Sequence, residues 1–138
     1  MNGMYQVAFV PVLCAGILSA LIGIVWYHPR FFGSAWMRLS GFTPEMVERS
    51  KKRRWLTPIV GVLASMLIAY VMAYVAIALG VYDWIGAVEV GLWCWIGFVA
   101  PTSLGIVLWE QKPLRLYAIT AGYWLVSFIA ISLVLFYI

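Results

Sequence analysis

Four stretches of this chain, near residues 7–27, 56–80, 86–109 and 114–137, are almost unbroken runs of apolar side chains. Each is long enough to cross a hydrocarbon core of about 30 Å, which takes about 20 helical residues. No water reaches backbone N–H and C=O groups inside a bilayer, so a spanning segment must close its hydrogen bonds within itself as a helix. Composition points the same way. The chain is 65% hydrophobic and 10% charged, whereas a soluble domain is roughly 45–50% apolar and about 25% charged. The expected fold is all-α, a single transmembrane domain over residues 1–138 built as an integral membrane four-helix bundle. The first run is not expected to be a cleaved leader, because no basic residue precedes it and its apolar stretch is too long.

The nine Lys and Arg are distributed unevenly. Arg30, Arg38, Arg49, Lys51, Lys52, Arg53 and Arg54 fall between the first two runs, and Lys112 and Arg115 between the last two. Loops rich in Lys and Arg stay on the cytoplasmic side. Both termini and Tyr82–Asp83 are therefore expected to be extracytoplasmic, in what reads as a bacterial inner membrane. A chain inserted in both orientations would lack this bias.

Within the first basic loop, "SGFTPEMVERSKKRRW" reads as a short cytoplasmic helix. Thr43 suits its N-cap and Pro44 its first position, while Phe42 and Val47 have the spacing of a hydrophobic staple. Glu45–Arg49 and Glu48–Lys52 are spaced as i,i+4 ion pairs in the favourable order. Anionic lipid headgroups are the expected partner of its basic end, at about 1 kcal/mol per basic residue near the surface, rather than nucleic acid. The two cysteines, Cys14 and Cys94, lie in apolar runs with no ligand spacing, so no disulfide, metal or cofactor is implied.

Small residues recur at helical spacing. Gly61, Ser65, Ala69 and Ala73 form one stripe, and Gly16, Ala20 and the overlapping pair Ser19 and Gly23 another. Such stripes let membrane helices approach closely, which predicts a tight bundle with little room for a wide pore. A bundle this small has few internal positions, and a homo-oligomer, which supplies more, is expected. "IGIVWYHPRFFG" at Ile22–Gly33 and "IGFVAPTSLG" at Ile96–Gly105 share I-G-x-V and then P-x-x-x-G. This reads either as two helical hairpins in tandem or as chance similarity of apolar segments.

The stretch from Gly23 to Trp36 holds five aromatic side chains and the chain's single histidine. Trp26, Tyr27, Phe31, Phe32 and Trp36 suit the aromatic belt at a membrane surface. Pro29 disfavours helix at His28. A lone His28 with no Cys, Asp or Glu beside it is expected to be an interfacial hydrogen-bonding residue rather than a catalytic or metal-binding one. The blocks "WYHPRFFGSAWM" and "WIGFVAPTSLGIVLWEQKPLRLYAITAGYWLV" resemble the domain of unknown function 1761 family, small four-helix membrane proteins found largely in bacteria. The resemblance implies that fold over nearly the whole chain, requires no histidine between Tyr27 and Pro29, and carries no activity.

Polar anomalies concentrate in the third run. Glu89 lies about four residues inside it, and an intramembrane carboxylate is a functional candidate by default. Asp83, Tyr82, Asn2 and Gln6 are its expected neighbours. It reads either as a side chain snorkelling to water near a helix N-terminus or as a proton or cation site. Pro101 should free the Gly97 carbonyl, with Thr102 and Ser103 compensating. With Tyr70, Tyr74, Tyr123 and Trp124 that break could line a small polar cavity, or it could be a structural kink. Glu110 is expected to form a loop clamp with Lys112 or Arg115. No nucleophile–base pair is present, so the expected role is non-enzymatic, binding or membrane-structural. The alternative is a proton- or cation-coupled carrier using Glu89 and the Pro101 break, with Thr102, Ser103 and Tyr123 beside it.

Overall fold

The computed structural model of the chain describes residues 7–138, which form helices joined by short turns, with no strand among them. Helix α1 (Phe9–Trp26) leads through a wide turn at Pro29–Gly33 into α2 (Ser34–Ser40) and α3 (Pro44–Lys52). Helix α4 (Leu56–Leu79) follows. Next come α5 (Trp84–Cys94), a π-helical stretch Trp95–Val99, and two single-turn helices, α6 (Ala100–Ser103) and α7 (Gly105–Leu108). Helix α8 (Leu114–Tyr137) completes the order. Among the described residues four segments are long and apolar enough to cross a membrane: α1, α4, the broken rod Trp84–Leu108, and α8.

Local chemistry explains where these helices start and stop. Thr43 Oγ1 accepts the Met46 N–H at 3.2 Å and Pro44 opens α3, satisfying one of the amides that a helix start leaves unpaired. Asp83 Oδ1 does the same for α5, accepting the Gly86 N–H at 2.8 Å. Helix α4 stops at Gly80, whose φ of 69° suits a residue without Cβ. The Val81 N–H then reaches back to the Ala76 carbonyl at 3.1 Å, the hydrogen bond of a Schellman end. On α3 the ion pair is Lys51–Glu48 at 3.1 Å, an i,i+3 contact, in place of the expected Glu45–Arg49 and Glu48–Lys52 pairs. Both partners are exposed, so the rotamer choice carries little energy.

Helix α1 packs against both α4 and α8, and α5 packs against α8, while the seam between α4 and α5 is thinner. Missing side chains set the close approaches. A Cβ on Gly91 would lie 2.9 Å from the Phe128 carbonyl oxygen and 3.0 Å from Ile129 Cα, so only glycine lets α5 reach the α8 backbone. Gly16 similarly faces Val62 and Met66 of α4. A core of Val12, Ala15, Ala69, Met72, Phe128 and Ile131 fills the space between α1, α4 and α8. In lipid, such contacts act through dispersion and fit rather than through escape from water.

In the stripe on α4, Ser65, Ala69 and Ala73 are buried, whereas Gly61 is exposed with nothing within 4 Å of where its Cβ would stand. Gly61 does not join the contact with α1; Val62 presents its carbonyl to Gly16 instead. The two similar motifs also differ in backbone. Pro29 follows the end of α1, and Phe31 has non-helical dihedrals. Pro101 sits inside a rod that continues past it.

The two basic connections share one end of the molecule, where Lys112 Nζ donates to the Ser40 carbonyl at 3.1 Å. At the opposite end Val7, Ala8, Val81, Tyr82, Phe136 and Ile138 border a common cleft of about 500 Å³.

Candidate functional site

The most developed polar arrangement inside the spans is a chain of hydroxyls joining three helices. Ser65 Oγ on α4 donates to Ser19 Oγ on α1 at 3.2 Å. Ser19 Oγ lies 3.2 Å from the Tyr123 hydroxyl on α8, and that hydroxyl donates to the Ser19 carbonyl at 2.9 Å. One direction satisfies all three bonds: Ser65 to Ser19, Ser19 to Tyr123, and Tyr123 to the backbone. Ser19 is 0% exposed and Tyr123 8%, so each hydroxyl would be costly to leave unpaired. Gly23 makes room for the tyrosine, since a Cβ there would meet its ring at 3.3–3.5 Å. The Tyr27 ring stacks on Tyr123 at 5.5 Å.

Three further bonds tie α8 to its neighbours. Trp26 Nε1 donates to the Ile119 carbonyl at 3.0 Å, and Trp95 Nε1 to the Ala121 carbonyl at 2.8 Å. Ser132 Oγ donates to the Ala87 carbonyl on α5. These polar groups hold helices together. Ser127 Oγ is the buried exception, with no partner among the described residues.

The residues grouped from the sequence as an ion or ligand site are not brought together. Glu89 is exposed and borders a cleft of about 530 Å³ between the end of α4 and α5, together with Tyr82 and Asp83. Asn2 and Gln6 lie outside the described residues. Pro101 and Thr102 are exposed about three turns further along the rod, and Ser103 is half-buried. Tyr123 faces Ser19 of α1. Trp124 meets the Tyr123 and Phe128 rings edge-on, and Tyr70 is exposed. The proline is accommodated by the π-helical stretch before it. Thr102 Oγ1 donates to the Phe98 carbonyl and lies 3.1 Å from that of Val99, and Tyr117 donates to the Ala100 carbonyl at 3.0 Å. The carbonyls of Phe98, Val99 and Ala100 beside the proline are thus taken up by side chains of the rod and of α8.

The loop clamp expected of Glu110 is absent. Lys112 turns to the end of α2, and the ion pair among the described residues is on α3. The reason is electrostatic and geometric: the last carbonyls of α2 carry partial negative charge and lie within reach of the lysine. Arg115 and Glu110 are exposed. His28 is also exposed, and its Nδ1 accepts the Arg30 N–H at 3.2 Å, capping the turn after Pro29. Among the described residues no three His, Cys, Asp or Glu side chains gather as a metal site would need.

Ser19 and Ser65 belong to the stripes of small residues that permit close packing. A serine on such a buried stripe also needs a hydrogen-bond partner, and that is the sequence signal of the hydroxyl chain.

Four bilayer-length apolar helices, with both Lys- and Arg-bearing connections at one end, make this a small multi-span membrane protein in class. The chain belongs to the family described as protein of unknown function (DUF1761), whose sequence model matches residues 10–136. No curated protein and no solved structure matches it.

Proposed function

We propose that the protein is a non-enzymatic membrane component with a binding or membrane-structural role, acting as a homo-oligomer in the bacterial inner membrane. One observation carries this reading: the buried polar groups of the spans, Ser127 apart, are consumed by helix-to-helix hydrogen bonds. A carrier needs polar groups that turn toward a pathway and exchange partners, and these bind the helices to one another. The separation of Glu89, Pro101 and Tyr123 counts against the carrier reading for the same reason.

In this proposal the helices form a compact bundle of two hairpins, α1 with α4 and the Trp84–Leu108 rod with α8. The basic end faces the cytoplasm, with α3 lying on anionic headgroups through Arg49, Lys51, Lys52, Arg53 and Arg54. Arg54 lies 6.0 Å from the Trp55 ring, a pairing suited to the headgroup layer. Nucleic acid is not a partner. Gly61, left on an open face of α4, is available for contact with a second copy.

Reconstitution into liposomes holding a pH-sensitive dye tests the reading. Proton and cation flux should match that of protein-free liposomes, and crosslinking in the same vesicles should give discrete multimers. Flux that is abolished by Glu89→Gln would replace this reading with the carrier.

A further inference from the structure

The thin seam between α4 and α5 is open along its length, and its two ends differ in chemistry. At the Asp83 end the cleft of about 530 Å³ is bordered by Tyr82, Asp83, Glu89 and Trp93. Deeper along the helices a second cleft of about 260 Å³ is walled wholly by apolar side chains, including Leu67, Val71 and Phe128. Val75, Cys94 and Phe98 line both, so the two are one continuous slot with an acidic, aromatic mouth.

We propose that this slot binds one amphiphile of the surrounding leaflet, with an alkyl or acyl chain in the apolar part and an ammonium headgroup at the mouth. This deepens the binding reading above and rests on it.

Three physical arguments fix the occupant. The first is charge. Glu89 and Asp83 carry the mouth's two carboxylates, and all nine Lys and Arg of the chain lie in the two connections at the other end or, for Arg115, in the first turn of α8 beside them. An exposed carboxylate one and a half turns inside a span gains most from a cation that arrives with its own apolar tail. The second is ring chemistry, because Trp93 lines the same cleft one helical turn beyond Glu89, the i,i+4 spacing that puts an aromatic ring beside the carboxylate's cation, as in cation–π recognition. The third is length. From Leu67 to Leu79 the α4 wall extends about 18 Å at 1.5 Å per residue. Half of a hydrocarbon core of about 30 Å is about 15 Å. The slot is therefore one leaflet deep, the reach of a lipid chain anchored by its headgroup.

The test is thermal unfolding of the full chain in a neutral maltoside detergent, with dodecylammonium or dodecanol added at sub-micellar concentration. The amine is protonated at neutral pH, as a lysine is, and the basic end of the protein repels it. A ligand that binds only the folded state raises the melting temperature in proportion to ln(1 + [L]/Kd). Dodecylammonium should stabilise the parent and dodecanol should do so at about tenfold higher concentration, one decade being the scale of a single good polar contact. Glu89→Gln should bring the two to parity. Val75→Trp, which plugs the slot, should abolish both responses; Val71→Trp, at an exposed position, does the same if the first variant fails to fold. Equal responses in the parent, an unchanged preference in Glu89→Gln, or full binding by a folded plug variant would each overturn the proposal. A parent indifferent to both amphiphiles would overturn it as well. The liposome flux and crosslinking results bear on the broader reading independently.

Discussion

Replacing Ser19 by alanine removes the middle of the hydroxyl chain and should weaken the hold of α1 on both α4 and α8. Two of the three bonds pass through Ser19 Oγ, to Ser65 and to Tyr123, each at 3.2 Å. Interhelical hydrogen bonds in membrane proteins average about 0.6 kcal/mol and reach about 1.7. Ser19→Ala should therefore cost about 1.2 kcal/mol, nearly a tenfold change in the folding equilibrium. Ser65→Ala loses one bond and should cost about half as much. The double variant should cost no more than Ser19→Ala plus a few tenths of a kcal/mol, because the two substitutions share a bond. Ser127→Ala is the control. Its hydroxyl is buried without a partner, so removing it should leave stability unchanged or raise it. Unfolding by sodium dodecyl sulfate from mild micelles, followed by tryptophan fluorescence, reads these differences. If Ser19→Ala and Ser127→Ala unfold together, or if the Ser19 and Ser65 costs add in full, the hydroxyl chain does not hold the helices.

Gly91→Val should destabilise strongly, by about 2 kcal/mol or more, as overpacking against a backbone does, while Gly61→Leu should leave the unfolding midpoint of the single chain intact; the reverse order would contradict the packing of α5 on α8. Lys112→Met should lower stability by about 0.3–1 kcal/mol through loss of the positive charge at the end of α2, and Arg115→Met, with no such partner, should not. In a Cys14→Ala, Cys94→Ala background, an impermeant thiol reagent applied to intact cells should label Tyr82→Cys and spare Ser50→Cys; the opposite pattern would invert the proposed orientation.

The helices were legible because membrane physics leaves few choices. An apolar run of bilayer length must satisfy its own backbone, and the caps at Thr43 and Asp83 and the stop at Gly80 are local signals of a few residues. Packing was partly legible for a similar reason. Ser65, Ala69 and Ala73 repeat every fourth residue, which keeps them on one face, and that face is buried. Gly61 obeys the same arithmetic and yet lies open, because a periodic stripe marks a direction along a helix and not the distance over which a partner follows it.

The site residues show a different kind of opacity. Tyr123 and Ser19 stand 104 residues apart, and which hydroxyl meets which depends on how α8 is rotated against α1. Neither side chain carries that rotation; Gly23 does, by opening the space the tyrosine ring enters. Glu89 and Pro101 share the third apolar run, which by itself says nothing of their separation in space. Pro101 instead stands twelve residues beyond Glu89, about 18 Å along the rod at 1.5 Å per residue, so distance along the axis keeps the proline's surroundings apart from the carboxylate, and Glu89 is left bordering the cleft between the end of α4 and α5.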